Sequence, residues 1–150
     1  MPPDDMPDAF DNRLEKRIHI HAPLGRVFRT LTDPEWIARW FAQVAAVEPH
    51  PGGAVEFCFL NSNGTASVFR GEVTDYESPG RFGFTWSHSS WDFPSTHVLF
   101  TIEATPDGTV LQLLHSGFAD QSLERDVHDE GWDHYLRRLK AATDRTCLQG

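Results

Sequence analysis

Between residues 44 and 117 the chain is interrupted by turn-forming groups at Pro51-Gly52-Gly53, Asn63-Gly64, Pro79-Gly80 and Asp107-Gly108. The stretches between them are rich in β-branched and aromatic residues. Glycine and asparagine reach the left-handed backbone that tight reversals need, and proline presets the corner. A chain reversed this often predicts an antiparallel meander of about six strands. After Gly117 the period changes to that of a helix, with Asp120 or Ser122 as the cap and an end near residue 144. At 1.5 Å per residue such a helix is about 36 Å long, enough to cross the whole sheet.

Alternation inside the strands assigns their faces. Phe82, Phe84 and Trp86 share one face, opposite Arg81, Gly83, Thr85 and Ser87. By the same parity Val55, Phe57 and Phe59 point one way, as do Val98, Phe100 and Ile102, and Leu111, Leu113 and His115. These sets predict one concave apolar surface. On the helix, 100° spacing places His128, Trp132, Tyr135, Leu136, Leu139 and Ala142 on one arc, with Asp133, Arg137 and Lys140 opposite. That arc is expected to face the sheet.

Ahead of the meander, Leu14, Ile18 and Ile20 alternate with Arg13, Glu15, Arg17 and His19, which predicts a first strand. Pro23 suits the first turn of a helix carrying Val27, Phe28 and Leu31, and Asp33-Pro34 is a second start signal ahead of Trp36, Ile37, Trp40 and Phe41. The expected class is therefore α+β, in the order strand, two helices, six strands, helix. About seven strands form one curved antiparallel sheet wrapped on the last helix. Residues 1–12 are expected to be a flexible tail and 13–145 the domain, with no repeat and no linker inside it.

The formal charge is −9 and no Lys/Arg cluster is present that could neutralise a row of phosphates, which argues against nucleic acid as a partner. The start, Met-Pro-Pro-Asp-Asp, lacks the basic and apolar regions of a signal peptide, and no apolar run is long enough to span a membrane. Two cysteines, Cys58 and Cys147, do not make a disulfide framework. A cytoplasmic location is the expectation. The spacings hold no His-Glu-x-x-His helix, no Cys-x-x-Cys pair and no closely spaced His/carboxylate set, so neither a metal nor any other cofactor is expected. Glu130 and His134 share a helix face, but that face is expected to point to solvent. Nucleophile-elbow, dinucleotide and phosphate-loop motifs are also missing.

This order of elements resembles the START-like, or helix-grip, superfamily, and more closely the family of homologues of the heat-shock-protein-90 ATPase activator. The resemblance covers residues 14–144. It is carried by Ile20-His21-Ala22-Pro23, Leu31-Thr32-Asp33-Pro34, Trp40-Phe41, Pro51-Gly52-Gly53, Gly71-Glu72-Val73, Thr85-Trp86, Gly108-Thr109 with Leu111 and Leu113, and Gly131-Trp132. It implies a helix-grip fold with a pocket between sheet and helix, in a superfamily of lipid carriers, cyclases and protein-interaction modules.

The first functional expectation is binding of a small apolar or amphipathic ligand in that pocket. Trp40, Phe57, Phe84, Trp86, Phe100, Trp132 and Tyr135 would be its walls, with His115 and His128 as placed polar groups. The same rings could instead simply fill the core. A second expectation is a cyclase- or hydratase-like enzyme with His115 or His128 as general acid or base and the Tyr135 hydroxyl as donor, against the alternative that both histidines are structural. A third is a co-chaperone-like interaction module. An enzyme is the lesser expectation. Gly131 breaks the rule that helix interiors avoid glycine. Close approach of helix to sheet is its first explanation, and pocket volume the second. Trp91, Phe93 and Pro94 in the loop from Ser89 to Ser95 would cover one mouth or pack on a strand edge. Leu60, Leu99, Val110 and Leu114 are apolar on the outward parity, which predicts a homodimer contact.

Overall fold

A computed structural model describes residues 13–88, 90, 95–118 and 121–149, with side chains as far as Asp144. The expected tail, the loop residues Trp91, Phe93 and Pro94, and the alternative cap Asp120 lie outside the described residues.

The meander forms as the turn signals require. Strands β2 (Val44–Val47), β3 (Ala54–Leu60), β4 (Ala66–Glu77), β5 (Arg81–His88), β6 (Thr96–Thr105) and β7 (Gly108–Ser116) follow one another, and β1 (Leu14–Ile20) adds beyond β7. All neighbours are antiparallel, in the order β1-β7-β6-β5-β4-β3-β2. The seven strands form one curved sheet in a helix-grip fold. A register shift between Val73 and Asp75 on β4 adds local twist at the β4–β5 pair.

Between β1 and β2 lie α1 (Leu24–Thr32) and the short α2 (Pro34–Ile37). Asp33 caps α2, its carboxylate accepting from the Glu35 N–H at 3.0 Å. Pro23 sits one position earlier than expected. It is the cap residue of α1, and its carbonyl accepts from the N–H groups of Arg26 and Val27. The last helix, α3, runs Ser122–Gln149, five residues past the expected end, because no glycine or proline stops it before Gly150. On its inward arc Trp132, Leu136 and Leu139 are buried, whereas Ala142 is only half-buried and Thr143 takes the buried place. The Thr143 hydroxyl makes this possible by donating to the Leu139 carbonyl one turn earlier, at 2.9 Å.

Two lysines dock α3 on β1. The Lys16 ammonium, on the inward parity between Leu14 and Ile18, meets the carboxylates of Asp129 and Asp133, and Lys140 Nζ donates to the His19 carbonyl at 2.8 Å. The outward apolar residues do not form one patch. Leu99 and Leu114 are register partners on β6 and β7, but Leu60, 60% exposed, is three strands away on β3. No described helix is long and apolar enough to cross a membrane.

Candidate functional site

The space between α3 and the sheet is divided. Toward one end Trp40, Phe57, Phe84 and Phe100 are buried in the core, and the Trp40 indole N–H is held by the Thr30 carbonyl at 2.9 Å. These four expected wall residues pack against one another and their neighbours and are not among the residues lining the cleft at the other end. Toward the other end a cleft of about 300 Å³ remains between the first half of α3 and strands β3, β4 and β5. It is lined by Phe41, Phe59, Ser67, Phe69, Trp86, Glu124, Val127, His128, Gly131, Trp132 and Tyr135. Of the expected site, the structure brings Trp86, His128, Trp132 and Tyr135 to this cleft. A larger groove of about 400 Å³ lies on the outer sheet face by Glu15, Arg17, Leu99 and Gln112, but it lacks aromatic walls.

Ring geometry shapes the cleft. Phe69 stacks on Trp86 with centroids 4.3 Å apart and planes 13° from parallel, and Phe41 stacks on Trp132 at 5.3 Å and 14°. Phe59 and Tyr135 each meet Phe41 edge to face, at 5.0 and 5.1 Å. Within this set Phe41, Trp86 and Trp132 are buried, whereas Phe59, Phe69 and Tyr135 keep part of their surface open.

Gly131 opens the cleft. A Cβ built on it meets nothing within 4 Å, so helix and sheet do not approach closely there. The first explanation from the sequence is thus corrected, and the missing side chain contributes volume.

The two histidines are tied into the indoles. Trp132 Nε1–H donates to His115 Nδ1 at 2.9 Å. An indole nitrogen can only donate, so the His115 proton is on Nε2, 2.7 Å from Thr96 Oγ1. The Thr96 hydroxyl completes the chain to the Trp86 carbonyl at 3.3 Å. His128 is arranged in mirror fashion. Its Nε2 accepts from Trp86 Nε1–H at 3.1 Å, and its Nδ1–H donates to the Glu124 carbonyl at 2.9 Å. Burial, with the neighbouring His128 and His97 adding to it, holds the His115 pKa well below the ordinary value. Burial also lowers His128, against an upward pull from the Glu124 carbonyl and carboxylate. Both rings are neutral near pH 7, and each ring's accepting nitrogen is occupied by an indole N–H. His115 is wholly buried and does not border the cleft.

Tyr135 is different. Burial raises its pKa, partly offset by Arg138, so the hydroxyl keeps its proton. It borders the cleft, which Ser67 and Glu124 also line.

The model of the family described as Activator of Hsp90 ATPase homolog 1-like protein matches residues 21–144. The chain belongs to this family. Among solved structures, protein MLL2253 from Mesorhizobium loti is similar at 27% identity and a TM-score of 0.78, covering 89% of this chain and 98% of its own. Protein CV1439 from Chromobacterium violaceum, at 23% identity and a TM-score of 0.78, covers 89% and 97%. CalU16 from Micromonospora echinospora, at 23% and 0.67, covers 91% and 78%. These last two likenesses concern the fold. No curated protein matches the chain. Membership of the activator-like family agrees with the motifs that carried the resemblance, from His21-Ala22-Pro23 to Gly131-Trp132.

Six cleft residues besides Gly131 escaped the expected site, namely Phe41, Phe59, Ser67, Phe69, Glu124 and Val127. Phe59 has the right parity on β3, and its alternation with Phe57 was the available signal. Phe41 follows α2 in a turn where no period applies. Ser67 and Phe69 lie on β4, whose polar and apolar residues alternate poorly.

Proposed function

We propose that this activator-like protein binds a small, flat, uncharged or cationic organic molecule in the cleft between α3 and β3–β5. The observation that carries the reading is the pair of stacked ring walls around about 300 Å³ of space, at the lower end of ordinary small-molecule sites. Space of this size suits a fused bicyclic or tricyclic ring system. Ser67 and Tyr135 offer hydroxyl groups to one polar edge of the ligand. Glu124 at the same cleft, on a chain of net charge −9, disfavours an anion.

Turnover by an imidazole is not part of this reading, because each accepting nitrogen is already engaged. The protein binds and shelters its ligand. Native mass spectrometry of protein purified from its own host tests this. The expected result is a co-purifying neutral or cationic aromatic compound that is absent from a Gly131→Leu variant prepared in parallel. Folded wild-type protein that carries no such compound, and takes up none from its host's small-molecule extract, would contradict the reading.

A further inference from the structure

Far from the cleft, the fold gathers a set of metal-ligand side chains. His19 is the penultimate residue of β1 and His21 the first residue after it, and their rings meet edge to face with centroids 4.7 Å apart. The carboxylate comes from a turn 86 residues later, the reversal between β6 and β7. Antiparallel pairing of Ile20 with Thr109 brings Asp107 alongside the two histidines. Gly108 allows this approach, since a Cβ there would lie 2.2 Å from the Ile20 carbonyl oxygen. One candidate ligand atom from each of His19, His21 and Asp107 lies within 4.8 Å of the other two.

The spacing suits a shared ion. His19 Nε2 is 3.1 Å from Asp107 Oδ1. Two ligands bound tetrahedrally at about 2.0–2.1 Å would be separated by about 3.3 Å. The backbone beneath them is fixed on two sides. Lys140 Nζ donates to the His19 carbonyl at 2.8 Å, and the His21 N–H donates to Asp144 Oδ1 at 3.0 Å. Thr105 Oγ1, 3.2 Å from Asp107 Oδ1 and 3.3 Å from His19 Nε2, orients both groups as an outer partner. Asp107 and His21 are exposed and His19 is half-exposed, so small side-chain rotations can close the set.

We infer that His19, His21 and Asp107 form a binding site for a borderline divalent transition-metal ion, zinc above all, at the junction of β1 and the β6–β7 turn. Two imidazoles and one carboxylate are a donor set that zinc accepts with a fourth position left to water. Magnesium and calcium, which favour all-oxygen shells, fit this set poorly. The site is independent of the cleft and of any ligand held there.

The test is calorimetric titration of the tag-free, metal-stripped protein with zinc chloride, repeated for His21→Ala, Asp107→Asn and the exposed control His50→Ala. Circular dichroism verifies folding of each variant. A one-to-one isotherm is expected in the wild type and in His50→Ala, with affinity at least about tenfold weaker in both His21→Ala and Asp107→Asn. Cobalt(II) in place of zinc should give a visible absorption band in the wild type that both variants lose. Absence of a saturable one-to-one isotherm in the wild type, or wild-type affinity in either variant, overturns the inference.

Discussion

His115 and His128 show how a polar residue survives inside an aromatic core. An indole N–H buried without an acceptor would cost about 1–3 kcal/mol, and each tryptophan avoids this by donating to an imidazole. Each imidazole then disposes of its remaining proton on Thr96 or on the Glu124 carbonyl. The arrangement works only while both rings are neutral, because protonation would set an N–H against an indole N–H. Since folding depresses both pKa values, the unfolded chain binds more protons than the folded one below its own histidine pKa of about 6.5. The contribution is therefore complete above about pH 6.5 and is lost as pH falls below it, with a limiting slope of about 1.4 kcal/mol per pH unit for each ring. Thermal melts between about pH 7.5 and about pH 5.5 should show a falling midpoint, and a shallower fall in His128→Gln. A midpoint that rises on acidification, or the same slope in His128→Gln, would contradict this. Nothing in the sequence foretold these pairings, because parity places a histidine on a face but does not choose its partner.

At the scale of the element, α3 has one packed half and one open half. Leu136, Leu139 and Thr143 seal the later turns, while the earlier turns carry His128, Gly131, Trp132 and Tyr135 along the cleft. Helical spacing made that arc legible from sequence, and strand parity did the same for β3, β5, β6 and β7. The choice between sealed and open was not legible, because it depends on how far the helix stands from the sheet. Gly131 marks the place, although its first explanation had the opposite sign. β4 was the least legible strand. Its cleft residues, Ser67 and Phe69, are register-matched to Phe59 and Phe57, so only the pairing reveals their face. With open space where its Cβ would stand, Gly131→Ala should raise stability by about 0.5–1 kcal/mol through helix propensity alone. Urea unfolding measures this directly. A loss of stability would mean that helix and sheet do meet there.

For the molecule as a whole, the aromatic content serves two purposes that composition cannot separate. Trp40, Phe57, Phe84 and Phe100 close the core under the two short helices, so the sheet has a rigid base. Phe41, Phe59, Phe69, Trp86, Trp132 and Tyr135 line the opening that remains. The order of elements and the membership in the activator-like family were readable from turn signals, period and motifs. Which rings pack and which stay lining a space was not, since both kinds share the same faces of the same strands. The second group of rings is the proposed binding surface. Its most direct test is calorimetric titration of the wild type and Gly131→Leu with naphthol, a flat bicyclic probe with one hydroxyl edge. Saturable one-to-one binding by the wild type, lost in a folded Gly131→Leu, is the predicted result. No binding by the wild type, or equal binding by the two, would contradict it.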